Sequence, residues 1–417
     1  MEKKVSNRWL VVLGAILIQL ALGAIYAWSV FTKALKEAPY NFSTPQTQAI
    51  FSAGLFTFAL VMIFAGIAMK KHGPRKLAIS GGIVLGLGYI LGGLFGSSFV
   101  AQLITIGIIG GAGIGLAYVV PIAVGMKWFP DKKGLISGLA VAGFGFGATI
   151  WVKVAGSWFG LIDKFGVQSV FLWYGIAFAA MVLIGSIWMV DPPAGYMQKK
   201  EEKKGAVEKQ AEKKVKVEKS DLHWKEMLKK YGFWAVWLIF IVSGGAGLMV
   251  IGTIKLFGID VLTGKLGVAA AGAAAGTAMA WYAIFNGLGR IAWGKISDNI
   301  GPKMAIFWMV LIQGILMLTF FKMGTTPLML IVYASAIGFN FGGNFALFPV
   351  ATAKLFGTKN VGSNYPFVFT SYGIAGILGP MLGGFVRDAT GNFLMAFIPA
   401  GIACLVGAVI ALTIKTE

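Results

Sequence analysis

One cation in an apolar run raises the first chemical question. Arg290 lies in Trp281-Tyr282-Ala283-Ile284-Phe285-Asn286-Gly287-Leu288-Gly289-Arg290-Ile291-Ala292-Trp293. Read as a helix, this stretch puts Asn286 one turn and Tyr282 two turns before Arg290, all on one face. A charged side chain at the centre of a membrane helix costs about 3 kcal/mol on insertion scales. Each of the sixteen Asp and Glu residues sits in a loop, a tail or a helix end, so no protein counter-ion is evident. The expected partner is an anion that comes and goes. A guanidinium suits a carboxylate, which it holds through two parallel charge-assisted hydrogen bonds. The competing reading lets Arg290 run its stem along apolar surface to the nearby interface, since Lys295 follows five residues on.

Other polar groups in apolar runs are softer candidates. Tyr333, Asn340 and Asn344 fall at spacings of seven and four, one polar stripe on an apolar helix; buried amides of this kind also bond between helices. Tyr365, Ser371 and Tyr372 share a later run, and Phe345 is a lone aromatic that packs either in the core or against a substrate methyl. Lys153, between Trp151 and Trp158, either draws anions inward or snorkels outward. Asp260 is the acid nearest a conceivable pathway and a candidate proton carrier; its other reading is a loop charge paired with Lys255 or Lys265. His72 and His223 cannot share a metal site with the lone Cys404, and no glycine run ends in Gly-Lys-Ser or Gly-Lys-Thr. No nucleophile–base–acid set sits within the apolar runs. Neither a metal nor a cofactor is expected, nor an enzyme.

These residues need elements to hold them, and composition says which. The 417 residues are 57% hydrophobic and 12% charged, against about one-quarter charged in a soluble domain; mean hydropathy is +0.79. A run of about 20 apolar residues spans a bilayer as a helix. Twelve such runs are found, near 9–32, 46–69, 77–99, 102–126, 135–160, 168–190, 232–256, 266–293, 304–321, 328–352, 364–386 and 392–414. The fold class expected is an all-α membrane protein of twelve transmembrane helices in two six-helix bundles. The divisions expected are an N-terminal bundle 1–190, a charged linker 191–231 and a C-terminal bundle 232–417. The middle of the linker is Lys199-Lys200-Glu201-Glu202-Lys203-Lys204, too poor in apolar residues to fold alone.

With both termini on one side, that side collects 27 of the 36 Lys and Arg residues and the other side seven. By the positive-inside rule both termini are cytoplasmic, in an inner membrane. The net charge of +20 is then mostly topology. The basic stretches flank spans and lack interleaved aromatics, so lipid and not nucleic acid is the expected neighbour. A monomer is expected.

The two bundles repeat. Gly66-Ile67-Ala68-Met69-Lys70-Lys71-His72-Gly73-Pro74 aligns with Gly294-Lys295-Ile296-Ser297-Asp298-Asn299-Ile300-Gly301-Pro302 at an offset of 228 residues. Parallel repeats of this kind put a substrate path between the halves, near the bilayer midplane. The pattern G-x-x-x-D-x-x-G-P-K at 294–303 resembles the signature loop of the major facilitator superfamily; the N-terminal copy has Lys70 where that family usually has Asp. Lys127-Trp128-Phe129-Pro130-Asp131-Lys132-Lys133-Gly134, Gly342-Gly343-Asn344-Phe345-Ala346-Leu347-Phe348-Pro349 and Asn286-Gly287-Leu288-Gly289-Arg290 resemble segments of its oxalate:formate antiporter branch. That branch is related to the proton-coupled monocarboxylate transporters and includes bacterial lactate/pyruvate transporters.

The resemblance implies a secondary transporter working by alternating access, with Arg290 matching an arginine that binds substrate carboxylate. Tyr26 and Tyr118 match aromatic positions of the family's cavity. Asn286 stands where the monocarboxylate transporters have an aspartate, which removes a proton carrier. Tyr372 stands where the oxalate pattern has a second cation, a lysine. One cation suits one carboxylate, so the substrate expected is a small monocarboxylate such as lactate or pyruvate, moved with a proton. An oxalate/formate-type exchanger is the alternative. A sensor built on a transporter scaffold is a third, but would need a folded module that the linker does not supply.

Overall fold

The computed structural model describes residues 7–193, 196, 221–390 and 394–415; the low-complexity middle of the linker lies outside these. Among the described residues there is no strand. Twelve helices are long and apolar enough to cross a membrane: α1 Arg8–Ala27, α2 Gln46–His72, α3 Pro74–Phe95, α4 Phe99–Trp128, α5 Lys133–Gly156, α6 Leu161–Ser186, α7 Tyr231–Ile254, α8 Val268–Ile300, α9 Pro302–Phe320, α10 Pro327–Phe356, α11 Val361–Gly383 and α12 Met395–Thr413. Phe56, Phe64, Trp173, Leu328, Ile377 and Phe385 are exposed, a coat that water would not tolerate and lipid tails accept.

The twelve apolar runs become twelve helices, but the connections are tighter than composition suggested. α2 continues through Lys70 and Lys71 to His72, and α8 through Ser297 and Asp298 to Ile300, where a loop from 294 was expected. Charged side chains at a helix end are solvated at the interface, and the backbone beneath them keeps its helical bonds. Gly73 and Gly301 end these helices at φ 80° and 81°, a conformation glycine adopts without a Cβ clash. Pro74 and Pro302 open the next helices, where a missing N–H costs nothing. The repeat in sequence is therefore a repeat of backbone conformation. α6 is counted from Leu161, but Gly166 (φ 77°, ψ 161°) breaks the helical backbone, so the continuous span starts just after it, beside the 168 expected.

Helices α1–α6 and α7–α12 meet along two crossings on the face that carries Arg8, Lys127 and the α8–α9 and α10–α11 connections, here called the basic face. At the first, α5 lies on α8 backbone to backbone: a methyl group on Gly134 would collide with the Gly294 carbonyl, and one on Gly138 with the Arg290 carbonyl. At the second, α2 lies on α11, where Gly66 faces the Gly362 carbonyl and Met69 covers Gly362. The first crossing is also latched electrostatically. Asp298 at the end of α8 accepts from the Gly134 N–H at 2.7 Å and the Leu135 N–H at 2.8 Å. These are first-turn donors of α5 that no helical carbonyl can reach, at the positive end of its dipole. Lys133 adds a 2.7 Å bond to Thr358 Oγ1.

Toward the opposite face the halves separate. Along α8, Gly287 still touches Phe146, but nothing lies within 4 Å of the positions a Cβ would take on Gly276 and Gly272. Along α11, Tyr372 still meets Tyr26, and one turn on, Gly376 faces nothing nearer than a Leu248 methyl of α7 at 3.9 Å and no residue of the other half. The protein is thus closed at its basic face and cleft at the other. The end of the linker is tied to the closed side: Asp221 Oδ1 accepts from the Lys359 N–H at 3.0 Å and Asn364 Nδ2 donates to the Leu222 carbonyl at 3.0 Å.

The latch makes a testable prediction. Spin labels at exposed Lys76 and Lys354, in a Cys404→Ser background, report the separation of the halves at the basic face. Asp298→Asn keeps the shape and removes the charge from two hydrogen bonds, so the open population should rise relative to the closed by about 5- to 30-fold, a shift of about 1–2 kcal/mol. An unchanged distance distribution would show that the latch contributes nothing to closure.

Candidate functional site

Arg290 sits where the cleft ends. Its side chain does not snorkel; the residue is 2% exposed, held between α5 and α10. Nε donates to Asn286 Oδ1 at 3.1 Å and Nη1 donates to the Val141 carbonyl of α5 at 2.6 Å. The guanidinium lies over the Phe345 ring with Cζ 4.3 Å from its centroid, a cation–π contact that offsets some of the lost hydration. No carboxylate among the described residues forms an ion pair with it. A guanidinium has five N–H donors, and these two bonds occupy two of them.

The backbone around it is shaped by glycine. In Gly143-Phe144-Gly145-Phe146-Gly147, Gly143 and Gly147 pack α5 on the backbone of α1, and Phe146 covers Gly287. Gly145 faces the guanidinium, and a methyl group there would stand 3.4 Å from Cζ. On the other side Gly342 of α10 presses on the Asn286 carbonyl and Gly338 on that of Tyr282. Helices brought this close fix the guanidinium through backbone that side chains cannot displace.

Rings form the rest of the chamber. Phe144 meets Tyr26 and Tyr118 edge-on at 5.2 Å each, and Phe369 lies 5.5 Å from Tyr118 and 5.2 Å from Tyr372. Tyr26 and Tyr372 share a 2.7 Å hydrogen bond between their hydroxyls, joining α1 to α11 at the floor of the cleft. Tyr26, Tyr118, Tyr365 and Tyr372 are all within electrostatic range of Arg290.

Of the residues singled out in the sequence, Arg290, Asn286, Tyr26, Tyr118, Tyr372 and Phe345 come together here, though Phe345 supports the guanidinium where a place beside a substrate methyl was one expectation. Tyr333 does not: its ring stacks on Phe320 of α9 at 5.5 Å, because spacing along α10 says which residues share a face but not which neighbour that face meets. Asn344 is committed between α10 and α7, accepting from Ser243 Oγ at 2.6 Å and donating to the Phe341 carbonyl at 3.0 Å. Asn340 accepts from Trp293 Nε1 at 3.1 Å. The stripe thus serves helix packing. Tyr282 donates to the Gly247 carbonyl of α7 at 3.1 Å. Asp260 lies in the helical extension beyond α7 and is exposed, and Lys153 is exposed as well. The sequence reading missed the Val141 carbonyl, for which no residue type is a signal. It also missed Gly145, whose glycine-rich run reads equally well as packing.

The family model described as Major Facilitator Superfamily matches residues 8–278 and 261–417. The chain belongs to the Major Facilitator Superfamily. Like its relatives, this superfamily member is a multi-pass membrane transporter and not an enzyme. It is 27% identical to the oxalate:formate antiporter of Oxalobacter formigenes over 403 residues, covering 95% of this chain and 90% of the antiporter. It is 25% identical to apicoplast pyruvate carrier 1 of Toxoplasma gondii, covering 88% and 81% of the two chains. The fold is shared with FucP, a Major Facilitator Superfamily transporter solved in the outward conformation, at a TM-score of 0.68 over 96% of this chain and 97% of FucP, with 18% identity.

In this superfamily member the Tyr26–Tyr372 bond is one interaction with two ends. Tyr26→Phe and Tyr372→Phe should each destabilise the cleft-open state by about 0.5–1.5 kcal/mol, and the double variant should cost no more than the worse single. Thermal unfolding of the four proteins in detergent measures this; additive losses would mean that the hydroxyls act independently.

Proposed function

We propose that this transporter carries a small monocarboxylate of the lactate or pyruvate type together with a proton, by alternating access. The observation that carries the reading is the buried guanidinium of Arg290 with donors to spare and no carboxylate of its own. A substrate carboxylate entering the cleft docks on those donors, and Asn286 keeps the guanidinium turned toward it. Tyr26 and Tyr372 stand at the entrance, and Tyr118, Phe144 and Phe369 surround the rest of the molecule. Docking neutralises the charge, and the halves then rock: the cleft closes above the tyrosine pair while the Asp298 latch and the α2–α11 crossing release below.

On this reading the basic face is cytoplasmic and the membrane the inner one. The oxalate:formate antiporter is among the relatives, but the chamber carries one cation and Tyr372 fills a place that the oxalate pattern gives to lysine. The pyruvate carrier and the monocarboxylate transporters favour one carboxylate. Asn286 cannot carry a proton and Asp260 is outside the chamber, so the proton is proposed to enter with the substrate or through a water held near Arg290.

Uptake of labelled pyruvate and lactate into proteoliposomes, with and without an inward proton gradient, tests the proposal. Both should accumulate with the gradient, and tenfold excess acetate should compete better than oxalate. Arg290→Lys keeps the charge but loses the fork, and apparent affinity should fall by about 30-fold, the worth of one charge-assisted hydrogen bond. Uptake indifferent to the gradient removes symport; wild-type affinity in Arg290→Lys removes the docking site.

A further inference from the structure

Tyr365 is a buried polar group that the docking site leaves unused. It is 0% exposed, and its hydroxyl has no hydrogen-bond partner among the described residues. Its ring packs on Phe369 at 5.7 Å. It stands seven residues before Tyr372, so about 10 Å nearer the basic face along α11. It lies between Gly362, where α11 crosses α2, and Phe369, which meets Phe58 of α2 and Tyr118 of α4. Tyr365 therefore sits on the seam between the halves, below Arg290 and above the closed crossing.

A hydroxyl buried without a partner forgoes about 1–3 kcal/mol, which a phenylalanine in the same place would not. Such a group makes physical sense if it is satisfied in another state of the protein. Ser137 Oγ of α5 and Ser297 Oγ of α8 are in the same condition, and they flank the other crossing on the same side of Arg290. When the crossings part, these hydroxyls become the polar lining of the passage. A carboxylate leaving a guanidinium among aromatic rings needs a donor before it reaches water, and Tyr365 offers one on the α11 wall.

We propose that Tyr365 is a carboxylate-binding residue on the inner half of the path, where its hydroxyl receives the substrate carboxylate as Arg290 releases it toward the basic face. The inference rests on Arg290 as the docking point. Tyr365 takes no part in the first binding event from the cleft; it acts in the step that follows.

Two measurements on the full chain decide it. In the first, Tyr365→Phe is compared with wild type for equilibrium binding of labelled pyruvate and for pyruvate counterflow in proteoliposomes. Binding should be unchanged while the counterflow rate falls by about 30-fold, as expected for one lost hydrogen bond to a charged group. A wild-type counterflow rate would mean that the ring alone matters and overturns the proposal. Binding lost in step with rate would place Tyr365 in the docked complex and overturn it equally. In the second, Tyr365→Cys in a Cys404→Ser background is treated with a membrane-impermeant methanethiosulfonate from the basic face. Labelling should occur and should accelerate when Asp298→Asn is added; no labelling from that face overturns the proposal. This second measurement uses no substrate. If wild type fails to bind pyruvate, or Arg290→Lys binds it normally, the docking assignment fails while the labelling still tests whether Tyr365 lines the path.

Discussion

A buried guanidinium without a fixed counter-ion constrains everything around it. Its charge resists burial, and the protein offsets this with one amide oxygen, one backbone carbonyl and one aromatic face. The carbonyl belongs to Val141 on α5 and the amide to Asn286 on α8 itself, so Arg290 is held by both halves at once. Any motion that separates α5 from α8 at the basic face must stretch the Val141 bond and leave another donor open. The glycines at 138, 145 and 342 follow from this, since the backbones must approach closely for a carbonyl and a ring to reach the guanidinium. On the proposed reading, an anion that fills the open donors lowers the cost of that motion and so couples binding to rearrangement.

The two crossings that close the basic face are built on different physics. Asp298 latches α8 to the first turn of α5 through charge-assisted bonds. The position 228 residues earlier is Lys70, which cannot accept from a helix N-terminus. There α2 and α11 close by packing alone, glycine on carbonyl with Met69 filling the gap. The sequence repeats the glycine and proline that set the backbone but not the acid that forms the latch. One crossing is a strong directional contact that opens when two bonds break. The other is a dry surface whose grip depends on shape.

How much of this was legible in the chain depends on whether the partner is local. Each apolar run satisfies its own backbone, so the twelve helices follow from windows of sequence, and the charges along their ends give the sidedness. Arg290 stood out because its cost is intrinsic to its place in an apolar helix. Asn286 was legible because it lies one turn away. The Val141 carbonyl was not, because a backbone acceptor has no side-chain signature. Tyr333 and Asn344 were misplaced for a related reason. Helical spacing defines a face, while the identity of what that face meets (Phe320 for one, Ser243 for the other) is set by helices distant in sequence. The bonds from Gly134 and Leu135 to Asp298 span more than 160 residues, which no local pattern encodes.

The balance of rings and donors in the chamber bears on what can be carried. Phe58, Phe144, Phe345 and Phe369 with Tyr118 supply apolar surface, and positive charge comes from Arg290 alone among the described chamber residues. A carboxylate that gives up its water here recovers charge-assisted bonds from a guanidinium already aimed and already desolvated. A second carboxylate on the same molecule would give up its water and find phenolic hydroxyls and ring faces, leaving a buried charge uncompensated at a cost of several kcal/mol. A methyl or small alkyl group at that place loses nothing and gains ring contacts. On the monocarboxylate reading proposed above, selection against dianions needs no repulsive element. It follows from having one cation in a chamber that is otherwise too dry to hold a second anion.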